Sequence, residues 1–368
     1  MTQPALEFSD PHALMHSIIQ RIATGPELSK NISREEARGG MSAILDGMVD
    51  PVQAAIFLIA LRMKRETDAE NLGILNALLD ATQTATAAVD VLVDIADPYD
   101  GYNRTLPAAP FLPAVLAACG VPAVSHGVES MGPKFGVTHR QVLRAAGLPV
   151  DLTPAQAAAR IENPDIGWAY VDQQAFCPKL HALTALRTLI IKRPVLTTIE
   201  TGLGPIRARG RTHLMTGFVH KGYPRIYALL ARAAGFDSAL IVRGVEGGVI
   251  PSLRQSGRVF QCLAEDEPHE HPLQASDFGV GETTRPASMP GAATDAETAP
   301  LATACAAAAA EAGLAALNGA QGPARDALIC AGATCLWHLG RFDTLHAAAD
   351  AVRIALDSGR ARKHLNGA

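Results

Sequence analysis

The chain has 368 residues, of which 48% are hydrophobic and 18% charged, with a net charge of −4 and a mean hydropathy of +0.13. That length and apolar share suffice for a generous core and more than one domain. The slightly negative balance excludes a uniformly basic nucleic-acid binder but leaves room for a local basic patch, and no apolar run is long enough to suit a membrane crossing.

The N-terminus, MTQPALEFSDPHALMHSIIQ, lacks a basic stretch followed by an apolar one, so no secretory signal is expected. Residues 11–90 read as helical throughout. Ser33 with Glu36 three residues on forms a capping-box start. Val52 to Lys64 is apolar nearly all round and belongs at the centre of a helical layer. From Val91 the character changes to short β-branched runs alternating with helical ones. VLVDIA, PAVSHG, GWAYVD, PVLTTIE, HLMTGFV and SALIVRG are expected strands, and VLRAAGL and RIYALLARAAG expected helices. Such alternation predicts an α/β domain with a largely parallel sheet.

VLVDIA ends at Asp97-Pro98, and the apolar run Phe111–Cys119 should open a helix. Strand, tight loop and helix N-terminus together make the arrangement that cradles phosphate. This loop, however, carries one glycine, Gly101, and three prolines, Pro98, Pro107 and Pro110. Tyr99–Arg104 therefore reads either as a plain surface turn or as a reshaped pocket in which Asp100, Asn103 and Arg104 meet a ligand. Residues 264–299 are rich in Pro, Gly and acids and read as a long surface excursion. Within them, Glu265–His271 mixes carboxylates and imidazoles, for which a solvated loop is expected rather than a metal site. Leu301–Leu317 and the segment to Leu356 return to helix, and the basic tail GRARKHLNGA is expected to fray.

The six cysteines, Cys119, Cys177, Cys262, Cys305, Cys330 and Cys335, have no short paired spacing. They suit reduced core thiols in a cytoplasmic protein. The densest basic region runs through Arg207, Arg209 and Arg211, with Lys192, Arg193, Lys221 and Arg225 nearby in sequence. It is either a solvated face or a footprint for a phosphate backbone, which rewards clustered guanidinium charge. Aromatic residues are only 5% of the chain, leaving few platforms for stacking single-stranded bases.

The N-terminal pattern ISREEARGGMSAILDGMVDPVQAAIFLIALRMKRET resembles the start of the anthranilate phosphoribosyltransferase family, glycosyltransferase family 3. The likeness continues through Asp94, Ser125-His126-Gly127, the Arg187–Arg193 pair and Ser276-Asp277-Phe278-Gly279 to the C-terminal ALDSGRARKHL. It implies an α/β fold of the nucleoside phosphorylase/phosphoribosyltransferase type. A small all-helical domain, residues 1–89 completed by about 176–194, would sit beside a larger α/β domain, 90–175 and 195–368, with a central mostly parallel sheet. It also implies a homodimer joined through the helices.

The same resemblance marks losses. The family's Gly-Thr-Gly-Gly-Asp loop and Asn-Ile-Ser-Thr helix start hold phosphoribosyl pyrophosphate. They are represented here by Asp97–Gly101 and Pro107-Ala108-Ala109-Pro110, where proline removes a backbone N–H and alanine removes a hydroxyl. The family's Lys-His-Gly-Asn-Arg becomes Ser125-His126-Gly127-Val128-Glu129. Its Asp-Glu metal pair becomes Val249-Ile250, although magnesium demands oxygen ligands. On the acceptor side His-Pro becomes Cys177-Pro178, while the arginine ten residues later persists as Arg187, with Arg193 beyond it.

These substitutions are most similar to a divergent branch that keeps the fold, lacks the transferase signature and has been described as nucleic-acid-binding dimers. The expectation is thus a non-catalytic binding protein with no catalytic residues. Its ligand pocket would draw on Asp100, Gly101, Asn103, Arg104, His126, Gly127, Arg187 and Arg193. DNA or RNA would meet Lys192, Arg193, Arg207, Arg209, Arg211, Lys221 and Arg225. For His126, Arg187 and Arg193 a satisfied structural role stands beside ligand contact. The alternative is an active glycosyltransferase with altered donor or acceptor, and only that alternative calls for magnesium.

Overall fold

A computed structural model describes residues 10–25, 27–252, 257–263, 267–281, 289 and 299–367. The chain opens with four helices, α1 (Pro11–Ile22), α2 (Arg34–Leu45), α3 (Pro51–Lys64) and α4 (Asp68–Asp80). Each starts where a side-chain oxygen caps a free backbone N–H: Asp10, Ser33, Asp50 and Thr67. Ser33 with Glu36 and Thr67 with Glu70 close full capping boxes. Phe57, Leu58 and Leu61 of α3 are buried in one core with Met15, Ile18 and Met41, but α3 is not covered all round as its sequence suggested: Val52 and Met63 are exposed. Helix does not continue to residue 90, because β1 (Ala85–Ala87) pairs in parallel with a later strand.

The α/β part runs β2 (Val91–Ala96), α5 (Leu112–Ala118), β3 (Ala123–Gly127), α6 (His139–Ala145), α7 (Pro154–Glu162) and β4 (Trp168–Asp172). Short helices follow: α8 (Gln173–Phe176), α9 (Pro178–His181), α10 (Thr184–Ile190) and α11 (Leu196–Ile199). Next come β5 (Ile206–Ala208), which partners β1, then β6 (Arg211–Phe218), α12 (Tyr223–Ala233), β7 (Ser238–Arg243), β8 (Gly257–Leu263) and β9 (His269–Leu273). The helices α13 (Ala299–Leu317), α14 (Pro323–His338), α15 (Leu345–Asp357) and α16 (Arg360–Asn366) close the chain.

The main sheet has the order β4-β3-β2-β6-β7-β8-β9, parallel from β4 to β7 and antiparallel over the last two pairings. Its parallel strands β2, β3, β4, β6 and β7 are buried on both faces, as in sheets covered by crossover helices, whereas β8 and β9 are partly exposed. Val93 and Ile95 of β2 join the core made with α5, α13, α14, α15 and α16, whereas Leu92 joins the core shared with the helical domain. Helices α8–α10 return to the helical side. There Lys179 pairs with Asp46, and the Gln83 N–H donates to the Phe176 carbonyl.

Three local expectations are corrected. PVLTTIE is helical, not a strand. Residues 194–204 are buried almost continuously, so burial carries no period here; the Thr197 and Thr198 N–H groups instead donate to the Pro194 and Val195 carbonyls, turning the backbone locally. Residues 264–299 do not lie wholly outside the fold: β9 extends the sheet, a 3-10 turn spans Ala275–Phe278, and the Met289 N–H donates to the Arg104 carbonyl. Glu265 and Asp266 of the acidic stretch lie outside the described residues. The tail does not fray either: α16 buries Ala361 and Leu365, and the Trp168 indole N–H donates to the His364 carbonyl. Among the described residues no helix is long and apolar enough to cross a membrane.

Candidate functional site

The parallel strands end where a ligand site belongs in this architecture, in the crevice outside their carboxyl ends. The segment after β7 is seated there by glycines. A side chain on Gly244 would lie 1.6 Å from the Gly248 carbonyl oxygen, and one on Gly217 of β6 would lie 2.1 Å from the same oxygen. One on Gly248 would lie 1.7 Å from the Tyr102 hydroxyl. Only backbone fits between β6 and the β2 loop, and this close approach fixes Glu246, which adopts a left-handed backbone at φ 52°.

The Glu246 carboxylate spans to the β2 loop. It accepts from the N–H groups of Asn103, Arg104 and Thr105 and from the Thr105 hydroxyl at 2.9–3.0 Å, and Lys134 Nζ lies 3.4 Å away. Burial alone would raise its pKa. The Asn103 N–H, the Lys134 ammonium, the Arg104 N–H and the Thr105 hydroxyl outweigh burial and hold the carboxyl below its ordinary value. Upstream, the buried Asp97 accepts from Tyr102 Oη at 2.6 Å, from His139 Nε2 at 2.8 Å and from the Val249 N–H at 2.8 Å. Burial again pushes upward there, but His139, Tyr102 and the Val249 N–H bring the pKa below the usual aspartate value. Asp100 takes two bonds from Arg193, at 2.8 and 2.6 Å, on the single oxygen Oδ2. Three carboxylates therefore occupy the loop region, each met by groups of the chain itself.

Behind this loop is a buried relay. His126 Nε2 lies 2.8 Å from Asp94 Oδ1, and its Nδ1 lies 2.5 Å from the Tyr99 hydroxyl. With Nε2–H donating to the carboxylate, Nδ1 accepts from Tyr99. Burial raises the tyrosine's pKa well above its usual value, so the phenol keeps its proton. His126 thus meets partners at both nitrogens and does not line the cleft. Gly127 closes β3, facing Tyr170. Gly101, at φ 73°, packs against the backbone of Gly136 and Val137, where a side chain would come within 2.6 Å. Asn103 Nδ2 donates to the Lys134 carbonyl, and the Arg104 side chain is exposed.

Arg187 does not reach the cleft either. Its guanidinium forks onto Glu200 at 2.6 and 2.7 Å, both residues are buried, and Gln173 Nε2 donates to the same carboxylate. Arg193 and Asp100 do line a cleft of about 270 Å³ between the helical and α/β parts. Sequence reasoning missed most of its other walls. Arg62 comes from α3; Thr197 and Thr198 from the segment read as a strand and Thr201 from the turn just after it; Thr216 from β6; and Tyr223 and Tyr227 from α12. Thr197 and Thr201, four residues apart, are the signal that a helical reading of the first segment would have found; Tyr227 lies in the expected helix RIYALLARAAG, and Tyr223 stands one turn before that residue.

The magnesium implied by the resemblance does not fit the residues present. Val249 and Ile250 are buried and apolar, and the Ile250 carbonyl already accepts from the Val245 N–H. Among the described residues no group of three or more His, Cys, Asp or Glu side chains is placed to hold a metal ion.

The basic residues are dispersed. Arg207 turns inward, donating to the Ala234 carbonyl at 2.8 Å with its guanidinium 4.1 Å from the Phe236 ring centre. Arg225 forks onto Asp68, both bonds at 2.7 Å. Arg209 and Arg211 are exposed beside the start of β6, while Lys192 and Lys221 are exposed at the cleft end of the sheet. The eight residues of β6 put roughly 25 Å between the two sets.

A helical layer beside a mostly parallel sheet, with a cleft at the strand carboxyl ends, defines a transferase-type two-domain protein. Residues 16–82 match the helical bundle domain of the glycosyl transferase family, and residues 100–362 match its a/b domain. The chain belongs to that family. It is 28% identical to an anthranilate phosphoribosyltransferase of Thermomicrobium roseum over 363 residues, covering 96% of this chain and 95% of that one. An uncharacterized protein of Aquifex aeolicus is 30% identical over 225 residues, covering 60% of this chain and 65% of that protein. Among solved structures, the anthranilate phosphoribosyltransferase of Thermus thermophilus superposes with TM-score 0.73 at 20% identity over 96% of this chain and 97% of that chain. The Saccharomyces cerevisiae enzyme with 4-fluoroanthranilate gives 0.74 at 16% identity over 97% of each. These likenesses carry the fold.

Proposed function

We propose that this chain is a non-catalytic binding member of its family, taking a small ligand in the cleft between its two parts. The observation that carries this reading is the self-satisfied loop. Asp97, Asp100 and Glu246 bring carboxylates to the place where phosphoribosyl transfer needs donors aimed at a departing pyrophosphate, and each is already bonded within the chain. The apolar Val249-Ile250 pair at the magnesium positions supports the same reading.

The test is turnover of anthranilate with phosphoribosyl pyrophosphate and magnesium. None above background is expected; an ordinary enzymatic rate makes the chain an active transferase with a rebuilt loop. Nucleic acid is a second partner, favoured by Arg209 and Arg211, exposed close together at the turn into β6. A gel shift at low salt that weakens in Arg209→Ala/Arg211→Ala supports it, and no shift at low salt removes it. Self-association through the helical domain is supported by exposed Val52, Met63, Leu189 and Ile191 and is read by sedimentation velocity.

A further inference from the structure

We infer that a cavity of about 370 Å³ at the β9 margin of the sheet binds a small organic ammonium compound. The site is separate from the cleft, because β9 stands three strands beyond β6 in the sheet order. It lies between β9, the 3-10 turn at Ala275–Phe278 and the junction of α14 with α15. Two of its lining rings make a corner. The His271 imidazole meets the Trp337 indole at 89° with ring centres 4.9 Å apart, and His269 meets His271 from outside at 72° and 4.5 Å. Pro272 and Leu345 complete the apolar part of the wall. Burial and then His269 lower the His271 pKa, so this imidazole is neutral at pH 7.

Beside these rings stands one unpaired carboxylate. Asp277 lines the cavity and accepts from the Gln274 N–H at 2.7 Å through Oδ2, and among the described residues no cation pairs with it. The other charges at this margin match one another. Asp350 holds Arg353 at 2.7 Å and faces His346 at 3.8 Å, and Glu270 holds Arg258 at 2.8 Å. Arg353 is occupied further by the Phe278 carbonyl. Arg341 and Asp343, both exposed on the connection from α14 to α15, carry opposite signs. The helix ends offset as well, since α14 brings its negative C-terminus at His338 and α15 its positive N-terminus at Leu345. Asp277 is thus the unmatched charge of the cavity. A carboxylate beside aromatic rings, with no cation of the chain to answer it, is the chemistry that holds an ammonium group. The indole, the strongest of the ring partners for a cation, supplies its negative face and Asp277 the counter-charge. An anion would meet that carboxylate with nothing to offset it. The volume suits one compact ligand rather than a polymer.

The experiment is isothermal titration of the full chain at pH 8 with choline, with cadaverine, and with the neutral isostere of choline in which a quaternary carbon replaces the nitrogen. At least one of the two ammonium compounds should bind with a Kd below about 10 mM, and the neutral isostere should be weaker than choline by about fivefold or more. Choline ahead of cadaverine places the weight on the rings, and the reverse order places it on Asp277. Asp277→Asn keeps an acceptor for the Gln274 N–H and removes only the charge, while Trp337→Leu removes the indole face. Each should weaken the bound cation by about threefold or more, with far-UV circular dichroism reading whether the variant is folded. Should Trp337→Leu fail to fold, Asp277→Asn decides alone. The inference is overturned if neither cation binds at about 10 mM, if the neutral isostere binds as tightly as choline, or if Asp277→Asn binds like the wild type. None of these results bears on anthranilate turnover, so the reading of the cleft stands or falls separately.

Discussion

Acidification should destabilise this protein through one histidine packed at the start of β7, the end of that strand remote from the cleft. His338, at the end of α14, places Nε2 2.8 Å from Ser238 Oγ, and the same hydroxyl lies 2.7 Å from His213 Nδ1. A single hydroxyl thus joins two imidazoles, while His338 Nδ1 is buried without a partner. Burial, and then the neighbouring His213, push the His338 pKa from 6.5 down to about 4. The imidazole is neutral in the fold, whereas the unfolded chain takes up the proton first as pH falls. Its stabilising contribution is therefore complete above 6.5 and is lost through the window down to 4. With those two values, the loss is about 2 kcal/mol by pH 5 and about 3 kcal/mol by pH 4. Urea denaturation at pH 7, 6, 5 and 4 on the wild type and on His338→Gln reads it. The variant should be less stable at pH 7, and the gap should close by about 2 kcal/mol at pH 5. Parallel pH profiles would refute the reasoning, because they would mean that His338 is protonated in the folded chain.

Removing one partner of the Arg187–Glu200 pair should cost about 3–5 kcal/mol in Arg187→Ala, since a buried carboxylate is left behind, while Arg187→Met/Glu200→Leu should recover most of it; chemical denaturation compares the two. Gly248→Ala should cost at the upper end of about 1–3 kcal/mol, because its added carbon meets Tyr102 and Asp97, and calorimetry reads the drop in melting temperature. Glu246→Gln should cost about 1–3 kcal/mol at neutral pH. Because that carboxyl is held below 4.5, its contribution is present above 4.5 and fades as pH falls through the lowered value, so the wild-type advantage in urea should shrink at pH 3.

What was legible in the sequence was what local signals control. The capping pair of α2 and the helical first eighty residues follow from neighbours a few positions apart, and the parallel sheet from the alternation of runs. The Thr-rich α11 was misread because the stretch is apolar and buried almost throughout, so it shows no period and only its β-branched composition was left to read. The site was less legible because its decisive contacts are long-range. Glu246 is defined by the N–H groups of residues 103–105, and Arg207 is removed from solvent by Phe236 and the Ala234 carbonyl. Asp100 and Arg193 were identified separately, and the fold joins them; Arg187 and His126 were identified too, and the fold turns both away from the cleft.

The docking of α16 gives the chain an optical reporter of its own last turn. Of the two tryptophans, Trp168 is buried and donates its indole N–H to His364, whereas Trp337 sits edge-on to His271 with ring centres 4.9 Å apart. Trp168 emission should therefore be blue and should shift red when the final helix lifts from the sheet. Trp337, partly exposed beside β9, should follow the opposite edge. Unfolding watched at the two indoles would show whether the sheet's two margins loosen together or in turn.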